Sequence, residues 1–412
     1  MHNSYFQKGV YKLNEFNPKE FVEKQTLVIQ NLVGNDRALI AVSGGVDSTT
    51  CALLTHQALG KNLLCVIIDT AFMREGEPEK VAQTLSLPPL NLPVKVVSAS
   101  ERFLNEMKGL QDAEEKRKKF RGTFYNVLSE TAKKEECNFL VQGTIQADII
   151  ETRGGVKTQH NVLSQIGLSP KELYGFQVIE PVVSLYKEDV RKVARYLKVP
   201  QAFSERQPFP GPGLSVRVVG EIRKDKLDTL KTATFITEQN FIRHNPSQYF
   251  ASIIDNLKKP KNHFIVHITE AATRFLAVPK RHLHVQVFKD KATGMEGGER
   301  RYGNIVAITA KTPEGQIHQA PVKDLVTLQT RIITETPVFA RVLYTVKEAS
   351  KEKPYIISLR SIQTNDFLTA EVSQIPWETL SETAETILKT CLKVSSVCYD
   401  VTPKPPATIE ME

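Results

Sequence analysis

No stretch of this chain approaches the ~18 consecutive apolar residues of a membrane-spanning helix, which excludes an integral helical membrane protein. The segment Met1 to Lys12 is polar and mixed, and lacks the apolar core of a secretory leader. Cysteine is sparse, with five in 412 residues: Cys51, Cys65, Cys137, Cys391 and Cys398. They form no CxxC pair and no metal-ligand spacing. An odd number in so long a chain reads as reduced thiols of a cytoplasmic protein. Cys51 and Cys65 fall in apolar runs and read as core. Charge of one sign does not gather either. The 54 Lys+Arg exceed the 46 Asp+Glu by 8, yet the run Lys116-Arg117-Lys118-Lys119 directly follows Glu114-Glu115. Without a basic stripe interleaved with aromatics, the balance points to a small polyanion such as a nucleotide rather than a nucleic acid.

What is present divides into segments. At this length two to three domains are expected, and 41% hydrophobic residues suffice to give each a core. Phe21, Val22, Val28, Ile29 and Leu32 repeat at helical spacing up to Gly34. Ala38 to Val42 is then a short apolar run suited to a strand buried on both faces. A glycine turn, a helical stretch from Thr49 to Leu59 and a second buried strand from Leu63 to Ile68 follow. This order implies an α/β fold with a doubly wound parallel sheet. The pattern continues through Val94 to Val97, a charged helix from about Asp112 to Lys134, Phe139-Leu140-Val141 and a helix from Val190 to Leu197. Gln207 to Gly213 is too rich in proline and glycine for regular structure, and a domain boundary is expected there, dividing 1–210 from 211–412. Helical patterns are read near 225–240 and 246–257. Beyond 301 a weak duplication is read: strands at 304–309 and 355–360, helices at about 321–335 and 376–390, and strands at 340–346 and 395–401. Two such β-α-β units suggest a compact α+β domain and a dimerisation surface.

The sharpest motif is Ser43-Gly44-Gly45-Val46-Asp47-Ser48, between a strand and a helix. Two glycines let the backbone approach an anion, successive N–H groups converge on it, and the helix N-terminus adds positive potential. Ser43 and Ser48 supply hydroxyl donors, and Asp47 can hold Mg²⁺ against phosphates. The hexapeptide has no lysine, so it is not the GxxxxGK[ST] loop.

This motif resembles the SGGxDS of the ATP-pyrophosphatase (PP-loop) family, which cleaves ATP between its α and β phosphates and binds the departing pyrophosphate in the loop. Asp69, at the end of the second strand, fits that family's position near the adenosine. Three further segments resemble the GMP synthetase family: Gln142-Gly143-Thr144 through Asp148 to Glu151, Pro208 to Leu214 followed by Arg217, and Lys404-Pro405-Pro406-Ala407-Thr408-Ile409-Glu410-Met411-Glu412. The resemblance runs from about residue 19 to residue 412. It implies a PP-loop domain followed by a smaller α+β dimerisation domain, with ATP and Mg²⁺ as cofactors. It also implies adenylation of XMP, loss of pyrophosphate and amination by ammonia to GMP. Residues 43–48, Asp69 and Gly143 would bind ATP or pyrophosphate; Arg117, Arg300, Lys404, Ile409 and Glu410 would bind XMP. Asp148, Glu151, Lys157 and His160 would act from a lid hinged at Gly154-Gly155, where a lysine stabilises phosphate charge and a carboxylate or histidine takes a proton from ammonia.

The match has departures. Gln159 stands where the family has the first of two histidines, and an amide is no base. Gly297-Gly298-Glu299-Arg300-Arg301-Tyr302 lacks the aspartate of GDxRxY, Val285 to Lys289 does not match VRSVGV, and Arg121-Gly122 inverts the family's order. Two other readings therefore remain open: a PP-loop enzyme with another purine-like acceptor, and a catalytically silent nucleotide-binding protein. Many relatives begin with a glutamine amidotransferase domain that the short stretch before Ser43 cannot hold. Ammonia is expected to be free or delivered by a separate glutaminase subunit, and the chain itself to be a homodimer.

Overall fold

The computed structural model describes residues 16–146, 148–149, 170–200, 203, 207–260, 263–364 and 368–412. Two compact units emerge. One takes the described residues of Met1–Val66, Gln83–Lys95 and Ala132–Arg206; the other takes those of Ile67–Ala82, Val96–Thr131 and Gln207–Glu412.

The first sheet is built from β1 (Arg37–Ala41), β2 (Leu63–Asp69), β3 (Val94–Ser98), β4 (Cys137–Val141) and β5 (Gln177–Ile179), in the order β3-β2-β1-β4-β5. The pairs β1·β2, β1·β4 and β4·β5 are parallel. Ala38, Leu39 and Ile40 are buried, as are the first six residues of β2, which is why both read as unbroken apolar runs. Helices α1 (Pro18–Val33) and α2 (Val46–Leu59) flank β1 in sequence. Asn17 starts α1 by accepting from the N–H groups of Lys19 and Glu20. Next come α3 (Glu77–Ser86), α4 (Ser100–Met107), α5 (Ala113–Lys134), α6 (Pro170–Tyr174) and α7 (Lys187–Tyr196). In the order 3-2-1-4-5 the strands stay parallel, but the direction in which successive strands are added reverses between β1 and β4. A crevice opens at the carboxyl ends of such strands.

The second sheet begins with β6 (Gln248–Asp255), β7 (Leu283–Glu296) and β8 (Glu299–Ala310). It continues with β9 (Phe339–Glu348), β10 (Tyr355–Gln363), β11 (Glu371–Val372) and β12 (Val394–Asp400). Its order is β11-β10-β12-β9-β8-β7, with β6 on β10. Of its helices, α8 (Lys224–Phe241) and α9 (His263–Leu276) come first; α10 (Val322–Glu335) links the parallel pair β8·β9, and α11 (Trp377–Thr390) links β10·β12. β9 and β12 then run antiparallel to each other.

One sequence expectation is corrected here. The helical pattern near 246–257 is the strand β6, all eight of whose residues are buried. A strand buried on both faces shows no alternation, and Tyr249, Phe250, Ile253 and Ile254 mimic helical spacing. No helix among the described residues is long and apolar enough to cross a membrane.

Candidate active site

In the first unit the loop after β1 meets the loop after β4. Gly44 takes φ +73°, a turn that suits glycine, and Gly45 is the N-cap of α2 with no side chain capping the helix. The N–H groups of the first turn thus remain available to an anion. Ser48 Oγ accepts from Ser43 N–H at 3.3 Å, lies 3.3 Å from Ser43 Oγ, and donates to Gly45 O at 3.2 Å. This hydroxyl pair braces the bend. Behind it, a Cβ on Gly143 would stand 3.3 Å from both Asp47 C and Ser48 N, so the β4 loop lies against the backbone of the anion loop.

Asp47 Oδ2 accepts from Lys187 Nζ, and the two form an ion pair. The other carboxylate oxygen, Oδ1, is buried without a partner. Thr144 Oγ1 donates to Glu180 Oε1 at 2.5 Å, and Cys51 Sγ sits 3.9 Å from Gln142 O. Burial, then Asp47 and Glu180, push the Cys51 thiol far up, so it is inert packing. Asp148 spends Oδ2 on the N–H of Ile145 at 3.0 Å, closing a turn just past the loop.

In the second unit, Asp69 Oδ1 accepts from Ala71 N–H at 3.0 Å and supports Ala71 at φ +68°. Elsewhere in this unit Arg117 and Arg300, far apart in sequence, converge on one oxygen of Glu114, at 2.6 and 3.1 Å, and Tyr302 Oη donates to it at 3.2 Å. Two guanidiniums beside one partly exposed carboxylate present planar, multidentate N–H donors of the kind that recognise a phosphate. Burial, then the neighbouring Arg117, lower the pKa of Arg300.

The segment 402–412 is tied down in the same unit. Lys404 exchanges backbone hydrogen bonds with Ala370 at 2.8 and 2.9 Å. Ile409 is half-buried. Glu410 receives Arg217 as a fork, Nε at 2.8 Å and Nη2 at 2.9 Å, with the Arg217 guanidinium 3.9 Å over Phe250 and 5.1 Å from Phe209. Beneath, buried Arg341 and Arg360 share Asp400 Oδ2 at 3.0 and 2.7 Å and donate onward to Thr408. Burial and the adjacent Arg360 bring Arg341 down to about 9.

The model for the PP-loop domain matches residues 18–203, and the model for the GMP synthase C terminal domain matches 345–411. The chain is 40% identical over 397 residues to one of the subunits of the glutamine-hydrolysing GMP synthase of Sulfurisphaera tokodaii, covering 96% of this chain and all of the relative. The equivalent protein of Saccharolobus islandicus is 44% identical over 398 residues, and that of Methanopyrus kandleri 35% over 404, each across 96% of this chain and 100% of the relative. The chain belongs to this family of GMP synthase subunits.

Within this GMP synthase subunit, residues 43–48 and Gly143 gather at one switch point. Arg117 and Arg300 gather on Glu114. Asp69 braces a turn of the second unit. Glu151, Lys157, His160 and the glycines at 154 and 155 lie outside the described residues. Sequence reasoning missed Lys187, Glu114 and Tyr302. Lys187 left one signal: it opens α7, where the helix dipole disfavours a cation, so a lysine there implies a tertiary carboxylate. Mg²⁺ fits the chemistry of Asp47, whose buried Oδ1 has no hydrogen-bond partner. Among the described residues no group of three or more His, Cys, Asp or Glu could hold a metal.

Proposed function

We propose that this chain is the synthetase subunit of a two-subunit GMP synthase. It joins XMP to the α-phosphorus of ATP, releases pyrophosphate, and lets ammonia displace AMP to give GMP. The observation that carries the reading is the uncapped N-terminus of α2, opened by Gly44-Gly45 and braced by the Ser43–Ser48 hydroxyl pair. Its N–H groups and two hydroxyls hold the departing pyrophosphate where negative charge accumulates. Mg²⁺ bound at Asp47 supplies charge neutralisation on the phosphates. Lys187, which pairs with Asp47, would be free to meet the phosphate oxygens with Mg²⁺ on that carboxylate, and would make good the lysine the loop lacks. Arg117 and Arg300 take the XMP phosphate; Lys404, Ile409 and Glu410 complete its site. Asp148, Glu151, Lys157 and His160 serve the lid, and Asp69 the adenosine. Five unpaired, buried cysteines support a reducing, cytoplasmic setting. The relatives are named as one subunit of a glutamine-hydrolysing enzyme, which supports a separate glutaminase partner. The chain itself pairs as a homodimer.

The test is pyrophosphate release by purified protein with ATP, Mg²⁺, ammonium and a panel of purine nucleotides. XMP is expected to support release and to yield GMP; release with a different acceptor and none with XMP defeats the reading. Asp47→Asn is expected to cost about a hundredfold or more in rate, and Lys187→Met about tenfold, both at unchanged fold.

A further inference from the structure

The buried pair Lys116–Glu412 lies outside every role assigned so far. Lys116 is 0% exposed and Glu412 3% exposed. The lysine Nζ donates to Glu412 Oε2 and, at 2.8 Å, to Val218 O; the other carboxylate oxygen accepts from Gly220 N–H at 2.8 Å. Glu412 N–H donates to Val216 O at 3.0 Å, and Met411 O accepts from Thr293 N–H at 2.9 Å. Two charges this deep are costly unless their remaining hydrogen-bonding capacity is met, and here both have a backbone partner besides each other. Such a pair contributes little net stability compared with packed apolar residues, but it admits one geometry.

What it joins is informative. Lys116 lies in the first turns of α5, between Glu114 and Arg117, which project to the arginine cluster. Glu412 follows directly on the segment carrying Lys404, Ile409 and Glu410. We infer that Lys116 and Glu412 are positioning residues for XMP, locking the α5 turn that presents Arg117 to the segment that presents Glu410. The substrate phosphate and base are thereby read in fixed register. The inference rests on the XMP reading above. Neither side chain touches the substrate; both act through their neighbours.

The test compares wild-type protein with Glu412→Gln, which keeps the shape and removes the charge. Thermal unfolding and circular dichroism establish that the variant is folded. The expected result is a rise in KM for XMP of about tenfold or more, with KM for ATP and kcat at saturating XMP within about twofold to threefold. A merely structural role would reduce the folded fraction, lowering kcat for all substrates and sparing KM. Should Glu412→Gln fail to fold, the double variant Lys116→Met/Glu412→Met leaves no lone buried charge and is judged by the same split. A folded variant with KM for XMP unchanged overturns the inference alone. Wild-type protein inactive with XMP, by contrast, overturns the substrate reading and this inference with it.

Discussion

Gly143 shows how tightly one residue can govern the anion loop. A methyl group there would meet backbone atoms Asp47 C and Ser48 N at 3.3 Å, and backbone cannot swing aside as a flexible side chain does. Gly143→Ala must therefore displace the first turn of α2 by a few tenths of an ångström. We expect XMP-dependent pyrophosphate release to fall about tenfold or more, because positioning errors well under an ångström are costly in phosphoryl chemistry. Stability should fall by only about 1 kcal/mol. Steady-state assay beside a melting curve checks it, and wild-type activity in the variant would refute the packing argument. At this scale the hexapeptide 43–48 was legible as a strand-to-helix bend because its glycines and flanking patterns are contiguous in sequence. Cys51 and Cys65 were legible as core because each sits in an apolar run, and both are fully buried. Lys187 was not legible, since its pairing with Asp47 exists only after α7 has packed. For the same reason Glu114 could not be read as the meeting point of Arg117 and Arg300.

Among the elements, four strands of the first sheet were readable from apolar runs and α5 from its charged helical pattern, because each property is local; the three-residue β5 was too short to leave such a run. The β-α-β segments after residue 301 were readable for the same reason: α10 and α11 begin and end within a residue or two of the expected helices. β6 was misread because complete burial erases the alternation that marks a strand. The β7–β8 hairpin went unread. The proline-glycine segment at 207–213 was recognised as irregular, but its tight approach to Phe72 was not. Gly213 sits at φ +61°, and a Cβ there would fall 2.3 Å from Phe72 O, the atom that accepts from Leu214 N–H at 2.7 Å. Gly213→Ala therefore combines left-handed strain with a backbone clash, together about 3 kcal/mol. For a unit of this size that corresponds to a drop of roughly 6–12 °C in its unfolding transition. A melting curve superimposable on wild type would show that the segment yields freely.

For the molecule as a whole, the decisive question is where the nitrogen comes from, and the cysteines bear on it. Hydrolysis of glutamine by a thiol requires an accessible cysteine whose thiolate is populated near neutral pH. All five cysteines of this chain are buried and unpaired. Burial pushes Cys391 up to about 11 and Cys65 and Cys398 up to about 12; it raises Cys137 as well, and Cys51 furthest. At pH 8 a thiol of pKa about 11 is ionised to only about one part in a thousand, some hundredfold less than one of pKa 9. The purified chain should therefore form GMP from ammonium salts and none from glutamine. Its rate with ammonium should climb as pH rises and more of the nitrogen is neutral ammonia, the only form with a lone pair to attack with. Iodoacetamide applied to the native chain at neutral pH should leave that activity intact, while denatured protein takes up label at all five positions. Adding a glutaminase subunit should confer glutamine dependence that iodoacetamide now abolishes, because the sensitive thiol belongs to the partner. GMP formation from glutamine by this chain alone would mean that one of its cysteines is far more accessible and acidic than its surroundings dictate.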